Sequence, residues 1–164
     1  MTEIDPPKEI FDALYTSAGV VVIHWAILEQ ALEHWVALIY RSPNGKQGER
    51  RIPHLYGAKI TFLKKSFANL SLLRPSEKEA LSLIGEIEEM APIRATLVHG
   101  SISSYDPETQ LLKFVRLPID KQDDIHVISE EYLSIPQILD AGTKMLKLMT
   151  RALKFGQRLV NIFM

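Results

Sequence analysis

The chain has 164 residues, 46% of them apolar and 24% charged, which is enough for one globular domain with its own core. A net charge of −1 gives no overall field that would draw it to nucleic acid or to an anionic membrane. With no cysteine, disulfides and thiolate metal sites are excluded.

The stretch Met1 to Asp5 is polar and acidic and lacks the basic-then-apolar order of a secretory leader. The most apolar run, Ala18 to Leu28, is short for a membrane span and is interrupted by His24. A cytoplasmic protein with no membrane partner is therefore expected. Asp5-Pro6-Pro7 reads as a helix start. From Lys8 to about Tyr40, Val21, Trp25, Leu28, Leu32, Trp35 and Ile39 alternate steps of four and three, which predicts a long helix that could break near Gly19. Val22, Glu29 and Val36 lie beside that stripe. So broad an apolar face belongs at the centre of a bundle or partly at a subunit interface, and a homodimer is expected.

Arg41 to Gly48, with a proline and two glycines, ends the helix and leads into Glu49-Arg50-Arg51-Ile52-Pro53-His54. Arg50 and Arg51, with Arg41 and Lys46, form a basic patch that could hold phosphate; a solvated loop is the plain alternative. Gly57 to Leu73 reads as a second helix, with Ile60, Leu63, Phe67 and Leu70 inward and Lys59, Lys64 and Lys65 towards water. Ser76 and Glu79 make a capping box for a third helix. There Ala80, Ile84, Ile87, Ala91 and Val98 share one stripe, and Arg94 falls on it.

A guanidinium on a core-facing stripe is costly unless a carboxylate or phosphate meets it. Glu29, at the flank of the first helix's stripe, is the candidate partner, with a solvated glutamate as the alternative. Pro92 predicts a kink just before Arg94. His99 follows in the last turn, and Gly100 reads as a left-handed helix end. The third helix thus delivers one fixed cation and one imidazole to the same end.

After Gly100 the period changes to two. Ser101 to Tyr105 and Leu111 to Leu117 flank Asp106-Pro107-Glu108-Thr109 as a β-hairpin, Asp120 to Asp124 reads as an acidic loop, and Ile125 to Ile128 as a third short strand. From Ser134 a last helix runs to about Phe163, with Ile138, Met145, Leu148, Ala152, Phe155, Leu159 and Ile162 inward. Its other side carries Lys144, Lys147, Arg151, Lys154 and Arg158, opposed only by Asp140, and Lys147 and Arg151 are further candidates for phosphate. The fold class expected is all-α: one domain, 1–164, forming a four- to five-helix bundle with a small β-hairpin inserted at about 101–129, before the last helix.

There is no glycine-rich phosphate loop, no His-Glu-x-x-His zinc motif and no serine in an elbow context. His24 and His34, ten apart beside a core stripe, read as packed side chains. Neither a cofactor nor a metal is expected, and Arg94 with His99 remains the one active-site candidate.

The pair Arg94-(Ala-Thr-Leu-Val)-His99, late in a helix, resembles the signature of the HEPN superfamily of small helical-bundle proteins. The resemblance extends to the approach Ile87-Glu88-Glu89-Met90-Ala91-Pro92-Ile93, to the exit Gly100-Ser101-Ile102, and to Trp25-Ala26-Ile27-Leu28-Glu29, which looks like that family's first long helix. It implies metal-independent RNA cleavage by a toxin or defence protein, with an antitoxin as a partner protein. A ribose 2′-hydroxyl would attack the adjacent phosphate, Arg94 would stabilise the developing charge, and His99 would serve as general base or acid, with Glu29 in support. Residues five apart on a helix lie about 7.5 Å apart along the axis and about 140° apart round it. One helix therefore presents the two groups loosely, and the resemblance implies a homodimer whose two tips face a shared cleft. The residue after the Arg is usually polar in active members and is Ala95 here. That departure fits the alternative, a non-catalytic module that binds RNA, a nucleotide or a partner protein.

Overall fold

The computed structural model describes residues 4–116, 119–120, 125–126 and 128–163. Among these the chain is mostly helical, with four helices and a small antiparallel sheet before the last of them. Helix α1 spans Lys8–Arg41, and all six residues of its expected stripe are buried. It runs unbroken through Gly19. One glycine costs a helix about 1 kcal/mol, and the burial of Leu14 and Val21 on either side outweighs that.

Helix α2 spans Tyr56–Asn69 and stops short of Leu73 because Ser71–Ser76 tightens into a 3₁₀ turn. Pro75 has no N–H to continue an α-helix and pushes Arg74 away from it, while the turn buries Leu73. Helix α3 spans Glu77–His99 and carries Pro92 within it. Glu79, expected to close a capping box, instead accepts from Arg158 Nη2 at 2.5 Å.

The expected hairpin is β1, Ser101–Asp106, with β2, Leu111–Arg116. At its turn the Asp106 carboxylate accepts from the Glu108 N–H at 3.1 Å and the Thr109 hydroxyl at 2.8 Å. The hairpin belongs to a three-stranded sheet, whose third member is not Ile125–Ile128. Ile119–Asp120 (β3) pairs with Ile125–His126 (β4) as a separate ribbon, and the strand added to β2 is β5, Ser129–Leu133. Residues 121–124 of the expected acidic loop lie outside the described residues. Helix α4 spans Ile135–Phe163 and opens on a reciprocal cap. Ser134 N–H donates to Gln137 Oε1 at 2.7 Å, and Gln137 N–H to Ser134 Oγ at 3.3 Å.

The chain divides into two compact units. The first comprises Met1–Ile23 and Met90–Lys144. Its core joins Leu14 and Val21 of α1 to Tyr105, Leu112 and Phe114 of the sheet and Ile138 and Ala141 of α4. A Cβ added to Gly142 would come within 3.0 Å of Val20, so α1 and α4 pack closely there. Ile4 forms a single antiparallel bridge with Tyr105, its N–H and C=O both bonded.

The second unit comprises His24–Glu89 and Met145–Met164. It buries Trp35, Phe67 and Phe155 as a cluster, the Phe155 ring lying 4.7 Å from Trp35 and 5.7 Å from Phe67. Trp25, Trp35 and Val36 are covered by the chain itself, so the face expected to need a second copy is largely filled; Val22 is 38% exposed. Lys59, expected in water, is only 4% exposed.

By length and composition alone α1 could cross a membrane. It extends well beyond the short Ala18–Leu28 run, and Tyr15, Val20, Val22 and Ile23 are exposed along it.

Candidate functional site

The end of α3 carries the residues of interest, all within the first unit. Gly100 N–H bonds to the Thr96 carbonyl at 2.8 Å. The glycine is not left-handed as expected: Gly48 is the one described glycine with positive φ. Its smallness is needed for another reason, since a Cβ there would stand 2.5 Å from the Thr96 oxygen and 3.4 Å from Phe114. That close approach turns the chain from α3 straight into β1.

Thr96 is fully buried, and Val98, expected inward, is 41% exposed. Residues two apart lie about 160° round a helix from one another, so only one of them can face the sheet. Thr96 takes that place because a carboxylate awaits it. Its hydroxyl has two acceptors within reach, the Pro92 carbonyl at 3.1 Å and Glu131 Oε2 at 2.6 Å. A hydroxyl has one proton, and the charged acceptor takes it. The other oxygen of Glu131 accepts from Arg116 Nη2 at 2.6 Å. Glu131 on β5 thus ties the last turn of α3 to β2. Arg116 Nε is buried with no hydrogen-bond partner.

His99 is exposed on the terminal residue of α3, and Arg94 is half-buried one turn back. By helix geometry His99 lies about 60° round from Thr96, whereas Arg94 lies about 160° from it. The Thr96–Glu131–Arg116 chain therefore adjoins the face of His99 rather than that of Arg94. The sequence marks none of Thr96, Glu131 and Arg116 as a site residue. The signal for Thr96 was its place on the sheet-facing side of a helix end. For Glu131 there was none, since Ser129-Glu130-Glu131-Tyr132-Leu133 lacks the alternation of a strand.

Glu29, expected to meet Arg94, belongs to the second unit. There its carboxylate accepts from Trp25 Nε1 at 3.2 Å and lies 3.9 Å from Lys59 Nζ, which is also 3.8 Å from Glu33. Tyr56, one turn before Lys59, packs on Trp25 with ring centroids 5.3 Å apart. Its hydroxyl is buried and unpartnered. Burial, and then the charges of Glu88 and Glu29, push its pKa up to about 12.

Of the residues considered for phosphate, Arg50 and Arg51 are exposed in the loop between α1 and α2, and Lys147 is exposed on α4. Arg151 is engaged, its two terminal nitrogens donating to Glu86 at 2.6 and 2.8 Å. That fork holds the Glu86 carboxyl below its usual range. His34, expected to be packed, is exposed, and His24 is half-buried with an unpartnered Nδ1. No group of three or more His, Asp or Glu among the described residues could hold a metal. No family model, no curated protein and no solved structure matches the chain.

Proposed function

We propose that this chain is a HEPN-like protein that acts on RNA through the end of α3, as a metal-independent endoribonuclease working as a dimer. The observation that carries the reading is the combination at that end: an exposed imidazole on the terminal residue and a half-buried guanidinium one turn before it. Arg94 would hold the scissile phosphate and offset its developing charge. His99 would move the proton of the ribose 2′-hydroxyl or of the leaving oxygen. The two groups diverge by about 140° on a single helix, so two tips facing one another would complete the cleft.

A second reading, a module that binds RNA without cleaving it, is favoured by Ala95, which offers no polar group beside Arg94. The test is incubation of the purified protein with labelled RNA in EDTA, beside His99→Ala. Because His99 is exposed, that substitution should leave the fold intact. Cleavage falling about 100-fold in the variant supports the enzyme reading. RNA binding without cleavage supports the second reading. Cleavage that persists undiminished in His99→Ala overturns the assigned mechanism.

A further inference from the structure

The end of α3 is the negative end of the helix dipole, a poor place for a phosphate unless cations offset it. Arg94 supplies one cation, but it lies about 140° round the helix from His99. Among the described residues, the cation tied to the His99 side is Arg116. Strand β1 follows His99 after Gly100 alone, and its first residue, Ser101, is paired with Val115 of β2. One step beyond that rung stand Gly100 on one side and Arg116 on the other. The guanidinium is joined through Glu131 to Thr96, which lies about 60° round α3 from His99.

The way Arg116 is held differs from a plain brace between strands. Nε and Nη2 sit side by side on one edge of a guanidinium, and a carboxylate facing that edge ordinarily takes both. Here Glu131 takes only Nη2, through Oε1 at 2.6 Å. Its Oε2 is drawn off by the Thr96 hydroxyl, also at 2.6 Å. Nε is left buried and unpartnered, which is costly. Nη1 likewise has no acceptor among the described residues, yet it is not buried, and the side chain is 24% exposed. Arg151, by contrast, spends both terminal nitrogens on Glu86. The chain gives up half of a strong ion pair at Arg116 and keeps a fixed positive charge with donors to spare.

We propose that Arg116 binds a backbone phosphate of RNA on the His99 side of the site, and that Glu131 and Thr96 are positioning residues that hold its guanidinium there. The proposal rests on the reading of the end of α3 as an RNA site. Arg94 and Arg116 would then hold the strand at two phosphates, with His99 between their faces on the outer arc of α3. Such contacts fix the strand's place and carry no base preference.

The test measures binding of a labelled single-stranded RNA by fluorescence anisotropy, in EDTA and on the His99→Ala chain so that nothing is cut. Each phosphate contact to a single strand contributes about 0.7 to the slope of log affinity against log salt concentration. Arg116→Gln should weaken binding at least about fivefold and lower that slope by about 0.7. Arg116→Lys, which keeps the charge, should retain most of the slope. A brace would move stability and leave the slope alone. Glu131→Gln keeps the shape of the pair and removes the competing charge, so it should tighten binding about threefold or more. That variant decides the matter if circular dichroism shows that Arg116→Gln fails to fold. Lys78→Gln, in the exposed first turn of α3, is the control and should change nothing. RNA that binds folded Arg116→Gln with an undiminished slope overturns the role of Arg116 and leaves the RNA reading standing. Unchanged or weaker binding by Glu131→Gln does the same. A slope that falls equally in Lys78→Gln marks diffuse attraction and overturns the proposal too. No saturable binding by either wild type or His99→Ala overturns both the proposal and the RNA reading.

Discussion

At the end of α3 one carboxylate, Glu131, is held at 2.6 Å from both Thr96 and Arg116. In the second unit the buried ammonium of Lys59 stands 3.9 and 3.8 Å from Glu29 and Glu33, and the nearby Tyr56 hydroxyl has no partner at all. Both centres place a cation beside carboxylate, yet they differ in kind. The first is a set of short, charge-assisted hydrogen bonds that admits one geometry. The second is attraction at a distance, which tolerates displacement and leaves donors unused. The helix end that carries His99 is tied down by the directional kind. The Lys59 centre fixes little.

The largest expected effect tests that distinction directly. Glu131→Ala leaves the Arg116 guanidinium without its carboxylate and returns the Thr96 hydroxyl to the Pro92 carbonyl, and should cost about 1.5–3 kcal/mol in urea denaturation. A loss below about 0.5 kcal/mol, the scale of an ordinary surface change, would erase the contrast. Lys59→Met should change stability by less than about 1 kcal/mol and could raise it, because a loosely paired buried charge often does no better than an apolar side chain. A loss of 3 kcal/mol or more, about what breaking a tight buried pair costs, would show that Lys59 is held as firmly as Arg116.

The smallest effect is also the most specific. Tyr56 loses its proton near pH 12 when folded, and near pH 10, its ordinary value, when unfolded. Below pH 10 both states keep the proton, and stability is unaffected. Between pH 10 and 12 only the unfolded chain releases it, so stability should fall as pH rises through that window. Tyr56→Phe should remove this part of the slope and leave neutral-pH stability the same or slightly higher. Parallel wild-type and variant melts between those pH values would check it.

Helices with a strong apolar period were legible in the sequence. The stripe from Val21 to Ile39 and the inward residues of α4 from Ile138 to Leu159 are buried as expected. The hairpin was legible from its turn residues. What escaped notice was polar and cooperative. Strand β5 reads as a loop because two glutamates occupy its middle, yet each has a partner: Glu131 inward to Thr96 and Arg116, Glu130 outward to Lys113 at 3.1 Å. Lys59 breaks its helix's pattern because carboxylates of α1 face it, which only the folded chain brings about. The half-buried setting of Arg94 was legible. The 160° that separates it from the Thr96 network was not, because Thr96 looks like any small polar residue until Glu131 arrives.

One feature of the sheet bears on how the protein behaves in company. Its order, β1-β2-β5, leaves β1 at a margin, where backbone donors and acceptors could accept a foreign strand. Among the described residues Ile4 covers that margin at Tyr105 alone, through two hydrogen bonds of 3.0 and 2.8 Å. This one rung is a latch against strand addition between molecules, and it is closed by a residue outside both long helices and the sheet it guards. What opposes strand addition at that margin is thus a contact made by Ile4, far in sequence from the strand it covers.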